Sequence, residues 1–188
     1  MKFAALTRVR WHSHINRINP PWPMRAWLVD PASLTSKLAK RSLQFRVQLL
    51  RQSSGKGLAG ECEMLGLPRR ARLWTREVLL CCDSRAVVFA RSVLSRASGF
   101  SDWPYFRSLG ERPLGAALFA DRRVTRGSFQ FAELQPAHPM VQAIRSFLDE
   151  KEIVRPFYAR RSLFRRRGGR LLVTEIFLPT LCNFQSKN

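Results

Sequence analysis

Strand-type alternation dominates the hydrophobic pattern of this chain. The stretch Gln44-Phe45-Arg46-Val47-Gln48-Leu49-Leu50-Arg51 alternates polar and apolar residues and reads as a strand, and Ser53-Ser54-Gly55-Lys56-Gly57 after it reads as a flexible loop. Residues 68–83 read as a long strand, with a tight turn at Asp83-Ser84-Arg85 and a second strand over 86–94, so the two predict a hairpin. Residues 124–131 predict another strand, and 155–165 with 170–178 a last hairpin turning at Gly168-Gly169. Helical patterns are fewer and shorter. Ser33 suits an N-cap for a helix over 34–41, whose Lys37, Lys40 and Arg41 near its end favour the helix dipole. Pro113 suits the first helical position of a segment over 113–119, and the apolar spacing of 141–148 fits one more helix. Residues 1–30, with Asn19-Pro20-Pro21-Trp22-Pro23, read as an irregular entry ending near Asp30-Pro31, and 95–110 as turns. No internal repeat is visible. Many hairpin strands with few short helices predict an α+β fold built on a single antiparallel β-sheet.

Three of these strands carry one ionisable residue in an otherwise apolar row: Arg76 beside Trp74, Val78 and Leu80; Arg91 beside Phe89 and Val93; Glu175 beside Val173 and Phe177. Side chains on a strand alternate faces with period two. A charge on an apolar face costs several kcal/mol unless something pairs with it. Two arginines and a glutamate converging in an apolar sheet pocket would suit a small dianion that also bears a hydroxyl.

Composition changes this picture little. With 188 residues, 45% hydrophobic and 11% aromatic, the chain can bury a core as one domain over residues 1–188. No apolar run is long enough for a membrane span, and the apolar stretch near the start, residues 3–6, is too short for a signal peptide, so a cytoplasmic protein is expected. The four cysteines have neither metal-type spacing nor an oxidising context and are expected to be reduced. Trp11-His12-Ser13-His14 offers alternate histidines but no third ligand, so no metal is expected. The net charge of +20 is the strongest rival signal, because it usually marks a nucleic-acid or anionic-surface binder. Here, however, arginine far outnumbers lysine and is scattered along the chain. Its densest group, Arg160-Arg161 with Arg165-Arg166-Arg167, straddles a hairpin turn instead of forming a basic arm. Neither specific nucleic-acid binding nor membrane insertion is expected.

Five segments, taken in order, sharpen the reading: Trp74-Thr75-Arg76-Glu77-Val78-Leu79-Leu80, Ala90-Arg91-Ser92-Val93, Arg112-Pro113-Leu114-Gly115 with Leu118-Phe119, Arg160-Arg161-Ser162, and Leu172-Val173-Thr174-Glu175-Ile176-Phe177-Leu178-Pro179. Their order and spacing resemble the chorismate lyase (chorismate–pyruvate lyase) family over about residues 5–180. The resemblance implies a sheet of about six antiparallel strands with short helices packed on one side and an internal ligand pocket closed by two flaps. It implies a cofactor-independent carbon–oxygen lyase that eliminates pyruvate from chorismate to give 4-hydroxybenzoate, early in ubiquinone synthesis; separately from the resemblance, a monomer is expected. It carries over Arg76, Leu114 and Glu175 as pocket residues, Arg91 as a second arginine, and Leu34 at a position often occupied by methionine. By that resemblance Arg76 grips the ring carboxylate through its planar fork, helped by the Leu114 backbone N–H. Arg91 takes the enolpyruvyl carboxylate, and Glu175 accepts from the ring hydroxyl; Arg76, Arg91 and Glu175 are the catalytic candidates. Residues 133–155 have no clear counterpart. The competing expectation is a non-catalytic domain of the same architecture that senses small aromatic acids.

Overall fold

The computed structural model describes residues 9–148 and 156–183. Seven strands form one antiparallel sheet: β1 (Phe45–Lys56), β2 (Arg72–Cys82), β3 (Arg85–Ser95), β4 (Val124–Arg126), β5 (Gln130–Leu134), β6 (Phe157–Arg166) and β7 (Gly169–Phe177). They run in the order β1-β2-β3-β7-β6-β4, with β5 also pairing with β6. The expected antiparallel α+β class is what forms. The β2–β3 hairpin turns through Asp83 and Ser84, both with positive φ (49° and 69°), the conformation that a tight two-residue hairpin needs.

Six short helices accompany the sheet: α1 (Trp22–Leu28), α2 (Leu34–Arg41), α3 (Glu61–Leu65), α4 (Ser98–Ser101), α5 (Leu114–Ala120) and α6 (Pro139–Gln142). Helix α2 begins and ends as its sequence predicts, and the Ser33 hydroxyl accepts from the Ser36 N–H at 3.3 Å. The helices do not gather on one side, as the resemblance implied. Leu28, Leu34 and Leu38 pack with Val47, Val78 and Leu80, and Leu114 and Leu118 pack with Leu94 and Leu171, all on one face. Cys62 and Leu65 of α3 pack with Leu73 and Val93, and Met140, Val141 and Ile144 pack with Leu79, Phe89 and Ile176, on the other. Central strands that are apolar on both faces need cover on both.

Local expectations give way in several places. The Ser53–Gly57 loop is strand for most of its length, because the long β2 supplies partners: Ser54 faces Trp74 and Lys56 faces Arg72. The register slips by one between Leu49 and Arg51, so Leu50 turns to the second face while Val47, Leu49 and Gln52 share the first. Helix α1 forms in the supposedly irregular entry, since a proline in the first turn costs no hydrogen bond. Helix α3 forms between Gly60 and Gly66, both left-handed (φ 83° and 69°), and the Gly66 N–H caps the carbonyls of Cys62 and Glu63. The strand over 124–131 is broken into β4 and β5, each paired with β6. The helix expected over 141–148 is a short α6 followed by a tight turn at Arg145–Phe147, and the rest of the 133–155 segment lies partly outside the described residues.

Among the described residues no helix is long and apolar enough to cross a membrane, and no group of three His, Cys, Asp or Glu residues could hold a metal ion. The four cysteines are free thiols, three of them buried.

Candidate functional site

Register decides which charges share a face. Arg76 on β2 is opposite Ser92 on β3, Ser92 is opposite Val173 on β7, and Val173 is opposite Ser162 on β6. One row along, Val78, Ala90, Glu175 and Arg160 line up in the same way. The floor between Arg76 and Glu175 is therefore made of Ala90, Ser92 and Ser162, residues too small to fill the space above them. That hollow is roofed by α2, through Leu34 and Thr35, and by α5 with the residue before it, through Pro113, Leu114, Leu118 and Phe119. The hollow between floor and roof holds about 600 Å³ of space, part of it open to solvent. The two roof segments meet closely at Gly115, where a Cβ would lie 3.0 Å from the Thr35 hydroxyl.

Leu34, Arg76, Leu114 and Glu175 thus come together in one pocket wall. Arg91 does not. It is opposite Glu77, on the second face, and its neighbours Ala90 and Ser92 are the ones that line the pocket. There Glu61 of α3 takes Arg91 in two parallel bonds, Nε to Oε1 at 2.7 Å and Nη2 to Oε2 at 3.0 Å, and Glu77 accepts from Nη1. Burial pulls the Arg91 pKa down, but the two carboxylates outweigh it and the net shift is upward. Arg91 therefore does not share the pocket of Arg76 and Glu175 as the sequence pattern suggested, because alternation places one residue on one face without saying which face of the neighbouring strand it meets.

Arg76 is bound differently. It is 2% exposed, and its guanidinium donates to the Gly110 carbonyl from Nε (3.1 Å) and Nη2 (2.8 Å) and to the Arg112 carbonyl from Nη2 (2.9 Å). Among the described residues no carboxylate pairs with it, so desolvation lowers its pKa to about 10. The anticipated use of the fork changes accordingly. The Nε–Nη2 edge is occupied by the chain leading into α5, and Nη1, in the pocket wall, has no protein partner among the described residues. The same contacts tie the segment ahead of Leu114 to β2.

Glu175 pairs with Arg160, which donates from Nε to Oε2 at 2.5 Å. Arg160 is itself fixed by the carbonyls of Trp27, Leu28 and Asp30 at 2.8–3.2 Å, so it docks the end of α1 and the lead into α2 against the sheet. Oε1 of Glu175 has no protein partner among the described residues. The sequence reading placed Arg160 in a motif but gave it no role. Its signal was its register opposite Glu175, which needs the β6–β7 turn to be placed first. Arg126 on β4, opposite Phe164, also lines the pocket and was missed altogether. Of the Arg165-Arg166-Arg167 cluster, Arg166 is buried against Asp121 (2.7 Å), whereas Arg165 and Arg167 are exposed.

The sequence model of the family described as chorismate lyase matches residues 5–187. A protein named probable chorismate pyruvate-lyase from Cupriavidus metallidurans is 46% identical over 93% of this chain and 82% of its own length. One of the same name from Cupriavidus pinatubonensis is 42% identical over 96% and 93%. Among solved structures, PhnF from Mycobacterium smegmatis superposes with a TM-score of 0.57 at 14% identity, covering 85% of this chain and 69% of that one. Its effector domain alone gives 0.53 at 13% identity, covering 81% and 91%. At such identities these two likenesses concern the fold alone.

Proposed function

The chain belongs to the chorismate lyase family, and from that membership we propose that it is a cofactor-independent chorismate–pyruvate lyase releasing 4-hydroxybenzoate, an early precursor of ubiquinone. The observation that carries the reading is the pairing of a buried, acid-free Arg76 with Glu175 across a floor of small residues. Chorismate has a ring carboxylate at one end and a ring hydroxyl at the other. Nη1 of Arg76 and the Leu114 backbone N–H offer donors to the carboxylate, and Oε1 of Glu175 offers an acceptor to the hydroxyl. An Arg–carboxylate bond formed away from water is stronger than its exposed counterpart.

In the elimination, the carbon bearing the hydroxyl gives up its hydrogen as a proton, the bond from the ring to the ether oxygen breaks with its electron pair going to that oxygen, and the released enolpyruvate takes up one proton at its methylene carbon to become pyruvate. The ring becomes aromatic, which drives the reaction. The protein's part is then to hold the reactive conformer, exclude water and favour charge moving onto the ether oxygen. Arg160 fixes the Glu175 carboxylate, so its free oxygen orients the hydroxyl. Leu34 and Leu118 line the roof, where they offer apolar surface to the ring plane.

The competing reading, a sensor of aromatic acids, shares only the architecture of regulator effector domains. One experiment separates the two: purified protein is mixed with chorismate, and 4-hydroxybenzoate and pyruvate are followed together. Stoichiometric appearance of both supports the lyase, whereas binding without turnover supports the sensor.

A further inference from the structure

The pocket wall carries three arginines and one glutamate, Arg76, Arg126, Arg160 and Glu175, which leaves it two positive charges in excess. Glu175 is engaged by Arg160. Asp30, the next acid in range, is engaged by Lys37. Arg76 and Arg126 are therefore the two cations of this wall without a carboxylate partner among the described residues. A site that stays folded with two uncompensated, partly desolvated cations is built for a ligand that brings two negative charges.

The placement of Arg126 fits the second of these charges. It shares the pocket face of the sheet through its register with Phe164. Its guanidinium lies over the Phe129 ring at 4.5 Å and over Phe119 at 5.6 Å, and Nη2 donates to the Pro31 carbonyl at 2.7 Å, which holds it beside the roof segment that starts α2. Phe129 also carries Arg160 at 4.4 Å, so two like charges are kept together on one ring. Nη1 and Nε of Arg126 have no protein partner among the described residues. Arg76 is on β2 and Arg126 on β4, with β3, β7 and β6 between them in the sheet, so the two cations flank the floor from opposite sides.

We propose that Arg126, and not Arg91, binds the carboxylate of the enolpyruvyl arm and makes the pocket specific for a dianion. The inference rests on the lyase reading for the identity of the arm, but its charge argument can be tested without turnover. The probes are benzoate, which has only the ring carboxylate, and 3-(carboxymethoxy)benzoate, which adds a second carboxylate on an ether arm at the ring position corresponding to chorismate's. Wild type should bind the dianion more tightly than benzoate. Arg126→Met, which keeps the apolar stem on Phe129, should cut that advantage about tenfold while leaving benzoate affinity within about threefold. Arg126→Lys, which keeps the charge, should retain part of the advantage and carries the test if the Met variant does not fold. Loss of both ligands together, or of neither, would overturn the proposal. Chorismate turnover by wild type reports separately on the lyase reading, so failure of one is not mistaken for failure of the other.

Discussion

The two faces of this sheet bury the same charged group by opposite means. Arg76 and Arg91 belong to neighbouring strands, one residue out of register, and are 2% and 7% exposed. On the second face, Arg91 is closed by Glu61 and Glu77, and α3 seals the cluster with apolar packing. On the first face, Arg76 is bonded among the described residues to carbonyl dipoles alone, beneath a roof that leaves space over Ala90 and Ser92. The carboxylates raise one arginine's pKa and desolvation lowers the other's to about 10. The difference teaches that burial alone does not mark a functional charge. A charge satisfied by acids is finished, whereas one held by neutral dipoles is still open to an anion.

The largest expected effect comes from breaking the closed cluster. Arg91→Met removes one partner and strands two buried carboxylates, so the protein should lose about 3–5 kcal/mol of stability. Denaturant unfolding measures this, and the folded fraction should still bind 4-hydroxybenzoate normally. Preserved stability with lost binding would exchange the roles of the two faces. Opening the comparison from the other side, Arg76→Gln keeps a donor for the Gly110 carbonyl and removes the charge. The affinity for 4-hydroxybenzoate should fall by about 2 kcal/mol or more, with a smaller stability change than for Arg91→Met. Titration calorimetry beside the same unfolding assay reads both.

A smaller effect probes the second face through pH. His138, buried there, has its imidazole pKa lowered from 6.5, chiefly by burial and also by Arg91, with Glu61 opposing. The folded state therefore prefers the neutral ring, and the unfolded chain takes up the proton first as pH falls below about 6.5. Stability present above that pH should decline on acidification and level off once the folded protein protonates too. His138→Asn keeps an N-cap side chain for α6 and should flatten this part of the profile, measured as unfolding free energy at pH 7.5 and 5.5. An unchanged slope would assign the acid sensitivity to other groups. The smallest effect belongs to the surface. Arg165→Gln with Arg167→Gln should change stability by no more than about 0.5 kcal/mol, whereas Arg166→Gln, which abandons Asp121, should cost more. Equal costs would mean that the Arg166–Asp121 pair adds nothing to stability.

Much of this architecture was legible before any coordinates. The alternation in β2, β3 and β7 gives the sheet, Ser33 gives α2, and Pro113 marks α5, because each signal is local. Arg76 and Glu175 stood out as charges in apolar rows, and both line the pocket. Arg91 stood out for the same reason and faces away, since which strand faces coincide is fixed by pairing register, a non-local property. Arg126 carried no local signal, and Arg160 stood in one of the resembling segments without a role. One sits in a three-residue strand, and the other's meaning comes from lying opposite Glu175. The small floor residues Ala90, Ser92 and Ser162 read as ordinary strand positions until three strands are aligned.

The most direct test of the open-face account is a crystal structure of the protein with 4-hydroxybenzoate bound. The account predicts the carboxylate within hydrogen-bond reach of Arg76 Nη1 and the Leu114 N–H, with the phenolic oxygen at Glu175 and the Arg91–Glu61–Glu77 cluster unchanged. A ligand carboxylate bound to Arg91 on the second face, or a pocket over Ala90 and Ser92 left empty at saturating ligand, would contradict it.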